Sequence, residues 1–246
     1  MTPGTVLTAA GYVVGLLAFY LAARQRRLAT EGMRHVALAG LCGGVLGAKV
    51  TEWGLGHWQT LASHPAAMLD PRLGGRTIIG GVLAGWLAVE IAKWRLGIRR
   101  STGDLFALAL PGGEAVGRIG CFFNGCCYGV PSHVAWAVYQ HGAWRHPSQL
   151  YSALAAAAIF GTLFALRDRM PREGDLFKLY LVLYGTSRFG LEFLRERKLA
   201  FGGLSLAHWV CLEMAMVASL ALVVSSRRAR AALPAACQRM QAQGED

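Results

Sequence analysis

Charge is scarce in this chain, and acid scarcer than base. Only 16% of its 246 residues are Asp, Glu, Lys or Arg, with 14 acidic side chains against 25 basic ones. Equally absent is any polar stretch long enough to form a soluble domain between the apolar blocks, which excludes an ordinary soluble enzyme. The start has no basic n-region: Arg24-Gln25-Arg26-Arg27 follows the first apolar run instead of preceding it, so a retained helix is expected there and not a signal peptide. His57 and His64 are too irregularly spaced to argue for metal, and Cys-x4-Cys-Cys alone lacks a zinc spacing, although His133, His141 or His146 would be available as further ligands. No cofactor and no metal are expected.

What is present is apolar. Hydrophobic residues make up 54% of the chain, and the mean hydropathy is +0.37. Blocks of about 20 residues with few charges are membrane-span candidates. Seven stand out, at 5–23, 36–53, 77–94, 104–124, 149–166, 176–194 and 204–225. The expected fold class is therefore all-α, a polytopic membrane protein of about seven transmembrane helices. Residues 1–225 form one domain, with an interfacial arm near 54–76, an outer segment at 130–147 and a basic cytoplasmic tail at 226–246. The segments 24–35, 93–104, 167–178 and 226–246 hold four Lys or Arg each, while the alternate loops hold two, one and three. That bias places the N-terminus outside and the C-terminus in the cytoplasm. The net charge of +11 then reflects topology and contact with anionic headgroups. Spread over four loops, it does not describe a nucleic-acid face.

Some features inside the blocks have local explanations. Gly40, Gly43, Gly44 and Gly47 form overlapping small-xxx-small pairs that favour close helix contact. Lys49 and Glu52, like Glu90 and Lys93, are three apart and able to pair. Thr102 or Ser101 is expected to cap the fourth helix, with Asp104 in its first turn. Pro111 is expected to kink or break that helix. Pro147 marks the start of the fifth, placing His146 and Gln149 at its outer mouth.

The unusual stretch is Gly117-Arg118-Ile119-Gly120-Cys121-Phe122-Phe123-Asn124-Gly125-Cys126-Cys127-Tyr128-Gly129. A guanidinium at membrane depth costs several kcal/mol or more unless compensated, so Arg118 reads either as functional or as a snorkelling, structurally paired residue. Arg188, near the end of the sixth block, is four residues from Glu192 and shares its helix face. The pair either neutralises itself or holds the arginine for an anion. Two arginines near outer helix ends suit a lipid phosphate, which the guanidinium fork matches.

Three motifs carry a resemblance. They are Gly117-Arg118-Ile119-Gly120 with Asn124-Gly125 and Gly129, then Arg145-His146-Pro147-Ser148-Gln149-Leu150-Tyr151, then Tyr184-Gly185 with Arg188-Phe189 and Glu192-Phe193. In order and spacing the chain resembles the prolipoprotein diacylglyceryl transferase family, as a divergent, cysteine-rich member. The resemblance implies seven helices and a cavity open sideways to lipid in the bacterial inner membrane. It also implies transfer of a diacylglyceryl group from phosphatidylglycerol, or a related phospholipid, to the lipobox cysteine of a prolipoprotein, with release of glycerol phosphate. The implied partners are that phospholipid, the prolipoprotein signal-peptide region and the membrane, with no nucleic acid. Carried over by motif, Arg118, Arg188, His146 and Glu192 are the catalytic candidates. Asn124, Gly129, Tyr184, Gln149, Gly80 and Gly81 are the substrate-binding candidates.

Three positions depart from the family pattern. The Gly-Gly-x-x-x-His-Gly-Gly segment reads Gly74-Gly75-Arg76-Thr77-Ile78-Ile79-Gly80-Gly81, so Ile79 stands where the family has histidine. Cys121 replaces an asparagine, and Cys126 a glutamate. Two readings are open. In one the chain is a divergent transferase whose base is His146, Glu192 or a thiolate near Arg118, or in which Cys126 or Cys127 carries the lipid covalently. In the other it is a non-catalytic lipid- or lipoprotein-binding homologue, or one whose thiols Cys121, Cys126 and Cys127 form a redox or metal site.

Overall fold

A computed structural model of the chain describes residues 2–28, 30–56, 63, 78–170, 172–196 and 202–242, with 228–242 described at the level of the backbone. Among these residues are seven helices. They are α1 (Pro3–Gln25), α2 (Glu31–Gly56), α3 (Ile78–Arg95), α4 (Gly103–Phe123), α5 (Ser148–Leu166), α6 (Asp175–Glu192) and α7 (Leu206–Ala242). Each apolar block became one helix. Four are long and apolar enough to cross a membrane: α1, α4, α5 and the Leu206–Arg227 part of α7. In α2, α3 and α6, residues such as Lys49, Glu90, Lys93, Arg188 and Glu192 lower the hydropathy. The expected interfacial arm falls mostly outside the described residues, as does the side chain of Glu52. Lys93 does pair with Glu90, at 3.0 Å.

The helical expectation needs one addition. Within 130–147 the chain forms a two-stranded antiparallel hairpin, β1 (Val138–Gln140) against β2 (Ala143–Arg145). Its turn places His141 at φ 50° and Gly142 at φ 78°. Three-residue strands carry too short an alternation to be read from sequence.

The contacts divide the chain into two compact units, Met1–Phe19 with Ser101–Asp246, and Tyr20–Arg100. In the second, α2 and α3 meet along the predicted glycines. A Cβ on Gly43 would stand 2.9 Å from the Ala84 carbonyl oxygen, and one on Gly85 3.2 Å from that of Gly40. In the first unit α4 packs on α5, α6 packs on α7, and α6 touches both α4 and α5. Leu105, Pro111, Leu163 and Leu176 are fully buried, whereas Leu154, Val217 and Leu220 point outward. Aliphatic exteriors of this kind suit a hydrocarbon solvent.

Two expectations about α4 are corrected. Pro111 does not break it: the helix runs unbroken from Gly103 to Phe123 with Pro111 fully buried. An interior proline is tolerated in membrane helices that pack against protein. Thr102 occupies the N-cap position without a side-chain cap bond. Asp104 instead accepts hydrogen bonds from the Gly174 N–H at 3.1 Å and the Phe177 N–H at 3.2 Å. A carboxylate in the first turn of α4 thereby caps the N-terminus of α6, a more valuable use of a buried charge than its own helix end offers.

Candidate active site

Arg118 lies on α4 one turn after Glu114, and both face the same side of the helix. Its Nε and Nη2 donate to Glu114 Oε1 at 3.0 and 2.9 Å. On α6, Arg188 forms an ion pair with Glu192 across the same four-residue spacing. Both arginines are almost fully buried and both are held by a carboxylate, as buried guanidinium groups must be. Tyr184 stands within electrostatic reach of Glu114, Arg118 and Arg188. A pocket between α4, α5 and α6 is lined by Glu114, Ser152, Ala156, Tyr184, Ser187 and Arg188. Folding thus gathers four candidates from the sequence, Arg118, Arg188, Glu192 and Tyr184, into one region of one unit.

Sequence reasoning missed three residues here. Glu114 was legible from its i,i+4 spacing to Arg118. The others, Ser205 and His208, are buried at the start of α7. Ser205 Oγ donates to Glu192 Oε1 at 3.1 Å, and the Ser205 N–H donates to His208 Nδ1 at 3.1 Å. Glu192 therefore holds Arg188 with one oxygen while the other is fixed by α7. A Ser-x-x-His spacing at a helix start was the available signal, since a side chain at the N-cap meets the third residue on.

The second motif builds a frame beside this region. The Gly129 N–H donates to the His146 carbonyl, the His146 N–H to the Val130 carbonyl, and the Val130 N–H to the Leu194 carbonyl, each at 3.1 Å. Only glycine fits at 129, since a Cβ there would lie 2.5 Å from the His146 oxygen and 2.7 Å from that of Leu194. Arg145 ties the frame together. It donates to the Gly129 carbonyl at 3.2 Å and the Gln140 carbonyl at 3.1 Å, pairs with Glu196 at 3.0 Å, and covers the Tyr128 ring at 4.7 Å. His146 is half-buried, with Nδ1 3.2 Å from the Tyr151 hydroxyl.

The first turn of α5 carries the thiol loop. Ser148 Oγ donates to the Cys127 carbonyl at 2.9 Å, and Gln149 Nε2 to the Cys126 carbonyl at 2.8 Å. Gln149 at this helix start is fully buried, with its amide committed to the loop. His141 Nε2 meets the Gly125 carbonyl at 2.7 Å. Gly125 and Cys127 adopt positive φ, 64° and 59°, which turns the loop back on α4. The sulfurs of Cys121, Cys126 and Cys127 then lie within 4.8 Å of one another, none of them in a disulfide. The Cys127 thiol is held below its ordinary value by its side-chain interactions with Cys121 and Cys126 and by the nearby positive charges of Arg195 and Arg118.

Asn124, Gly80 and Gly81 are described by their own neighbours. Asn124 ends α4 and accepts from the Thr2 hydroxyl at 3.1 Å, joining that helix to the start of α1. Gly80 and Gly81 belong to the other unit, where their neighbours are on α2: a Cβ on Gly81 would meet the Gly44 oxygen at 3.1 Å. The side chain of Ile79 lies outside the described residues.

Comparison with known proteins accounts for the helices and the motifs together. The family model for prolipoprotein diacylglyceryl transferase matches residues 5–224. Among the similar relatives is the phosphatidylglycerol–prolipoprotein diacylglyceryl transferase of Aromatoleum aromaticum, 34% identical over 80% of this chain and 79% of its own length. That of Symbiobacterium thermophilum is 32% identical over 84% and 81%, and that of Finegoldia magna 25% identical over 91% and 90%. With a match that spans nearly the whole chain from α1 to the apolar end of α7, the chain belongs to the prolipoprotein diacylglyceryl transferase family.

Proposed function

We propose that this protein transfers a diacylglyceryl group from phosphatidylglycerol, or a related phospholipid, to the cysteine thiol of a prolipoprotein. The observation that carries this reading is the pair of buried arginines, Arg118 and Arg188, on two packed helices, both within electrostatic reach of Tyr184. Each guanidinium presents a fork that fits a phosphate and stays charged at any pH the cell meets. In the transfer, the thiolate sulfur attacks the glyceryl carbon. A C–S bond forms, the C–O bond to phosphate breaks, and glycerol phosphate leaves with the electron pair while the thiol's proton passes to the aqueous side. Arg118 and Arg188 stabilise the charge that develops on the departing phosphate. Glu114 and Glu192 position them. His146, Gln149 and Gly129 maintain the frame beside the site.

The same reading takes all seven helices as spans of the bacterial inner membrane, with the N-terminus outside, the C-terminus in the cytoplasm, and the signal-peptide region of the substrate entering from the bilayer. The charge bias of the loops supports that orientation. Complementation of a strain depleted of its native transferase tests the reading. Growth that is restored by this chain and lost with either Arg118→Ala or Arg188→Ala is the expected result. A well-expressed chain that restores nothing counts against a prolipoprotein acceptor.

A further inference from the structure

We propose that Cys121, Cys126 and Cys127 bind one Zn2+ ion through three thiolates and leave its fourth position open to the acceptor thiol. The transferase reading supplies that acceptor; the metal site itself stands on the geometry of the thiols.

Zinc takes thiolate sulfur at about 2.3 Å in tetrahedral array, which sets the sulfurs about 3.8 Å apart. The three sulfurs already lie within 4.8 Å of one another, so small side-chain rotations complete the set. The backbone is built for this convergence. A positive φ at Cys127, costly for a side-chain-bearing residue, turns consecutive cysteines back toward Cys121. Ser148, Gln149 and His141 then hold the carbonyls of Cys127, Cys126 and Gly125. Strain that is fixed from three directions is the mark of a position kept for its side chain.

Three ligands are what a working zinc site uses. Structural sites close with four protein ligands, whereas reactive ones hold three and keep one position for an exchanging group. Among the described residues no fourth donor joins the cluster: His141 meets the Gly125 carbonyl, and His146 meets Tyr151. Three thiolates on Zn2+ carry a net charge of −1, and Arg118 and Arg195 lie within electrostatic reach of Cys127 to balance it. Cys121 follows Arg118 by three residues on α4, so the two share a helix face. A thiol bound at the open position would be a thiolate, since a coordinating thiol is deprotonated outright. It would stand beside the phosphate that Arg118 binds.

The test uses the full chain in detergent with a phosphine reductant, stripped with chelator and titrated with Zn2+ or Co2+ alone. Expected are about one zinc per chain after desalting, and a Co2+ form with a sulfur-to-metal charge-transfer band and tetrahedral visible bands. A peptide bearing one cysteine should shift those visible bands, and its serine version should not. Cys126→Ser should weaken zinc retention more than tenfold at unchanged helix content. Should that variant fail to fold, the cobalt spectrum of the native chain decides. No charge-transfer band, or zinc retention unchanged in a folded Cys126→Ser chain, overturns the site; bands indifferent to the cysteine peptide overturn the open position. Diacylglyceryl transfer is scored separately. Zinc bound without transfer rejects the proposed function and leaves the site standing, while transfer that survives zinc removal rejects its part in the reaction.

Discussion

Arg118 makes both of its short contacts with one oxygen of Glu114, Nε at 3.0 Å and Nη2 at 2.9 Å. The pairing uses one edge of the guanidinium and one oxygen of the carboxylate. An arginine held in this way keeps its remaining N–H groups for an anion.

Glu114→Gln separates positioning from binding. The amide keeps the shape and an acceptor oxygen but removes the countercharge that fixes Arg118. We expect kcat for diacylglyceryl transfer to fall about 10- to 100-fold, roughly 1.4–2.7 kcal/mol of transition-state stabilisation. KM for phosphatidylglycerol should hold or decrease, because a positive charge is freed. A variant that merely misfolds lowers apparent kcat through its active fraction, so kcat is referred to the folded fraction measured by size-exclusion chromatography. An unchanged kcat per folded chain would show that Glu114 does not orient the arginine.

Arg145→Ala should loosen the frame without touching the charge of the site. It removes two hydrogen bonds to carbonyls, an ion pair to Glu196 and the cover over Tyr128. Hydrogen bonds from a charged donor are worth about 1.5–3 kcal/mol each. Amide exchange at Gly129, Val130 and His146 should accelerate at least tenfold, while amides of α1 and α7 keep their protection. Exchange that rises evenly over the whole chain would mean that Arg145 supports the fold at large.

Two glycines distinguish close packing from helix propensity. A Cβ on Gly113 would lie 2.7 Å from the Gly11 carbonyl, whereas one on Gly161 would meet nothing within 4 Å. Gly113→Ala should push α1 from α4 and cost about 1–3 kcal/mol, as overpacking does. Gly161→Ala should be neutral or stabilise by up to about 1 kcal/mol, since alanine favours helix. Thermal unfolding in detergent compares the two. If both variants melt alike, α1 and α4 do not depend on that approach.

The apolar blocks located all seven helices, six of them to within about five residues at either end, because length and hydropathy are local properties that a membrane solvent enforces; the last helix runs on to Ala242, well past its apolar block. The i,i+4 pair Arg188–Glu192, the glycine contacts of α2 and the family were equally legible, being fixed by spacing along one segment. The Glu114–Arg118 pair belonged to the same class and was overlooked beside Pro111-Gly112-Gly113. What sequence alone did not decide depends on residues far apart in the chain. Asp104 lies in the first turn of its own helix as expected, and the fold adds the amides of Gly174 and Phe177, 70 and 73 positions away, as its partners. The three-residue strands of the hairpin have no readable period. Above all, the spacing Cys-x4-Cys-Cys left a joint redox or metal site as one alternative and did not decide whether the three sulfurs converge. That convergence requires positive φ at Gly125 and Cys127, held by Ser148 and Gln149 more than twenty residues on, and only the folded chain brings those groups to the loop.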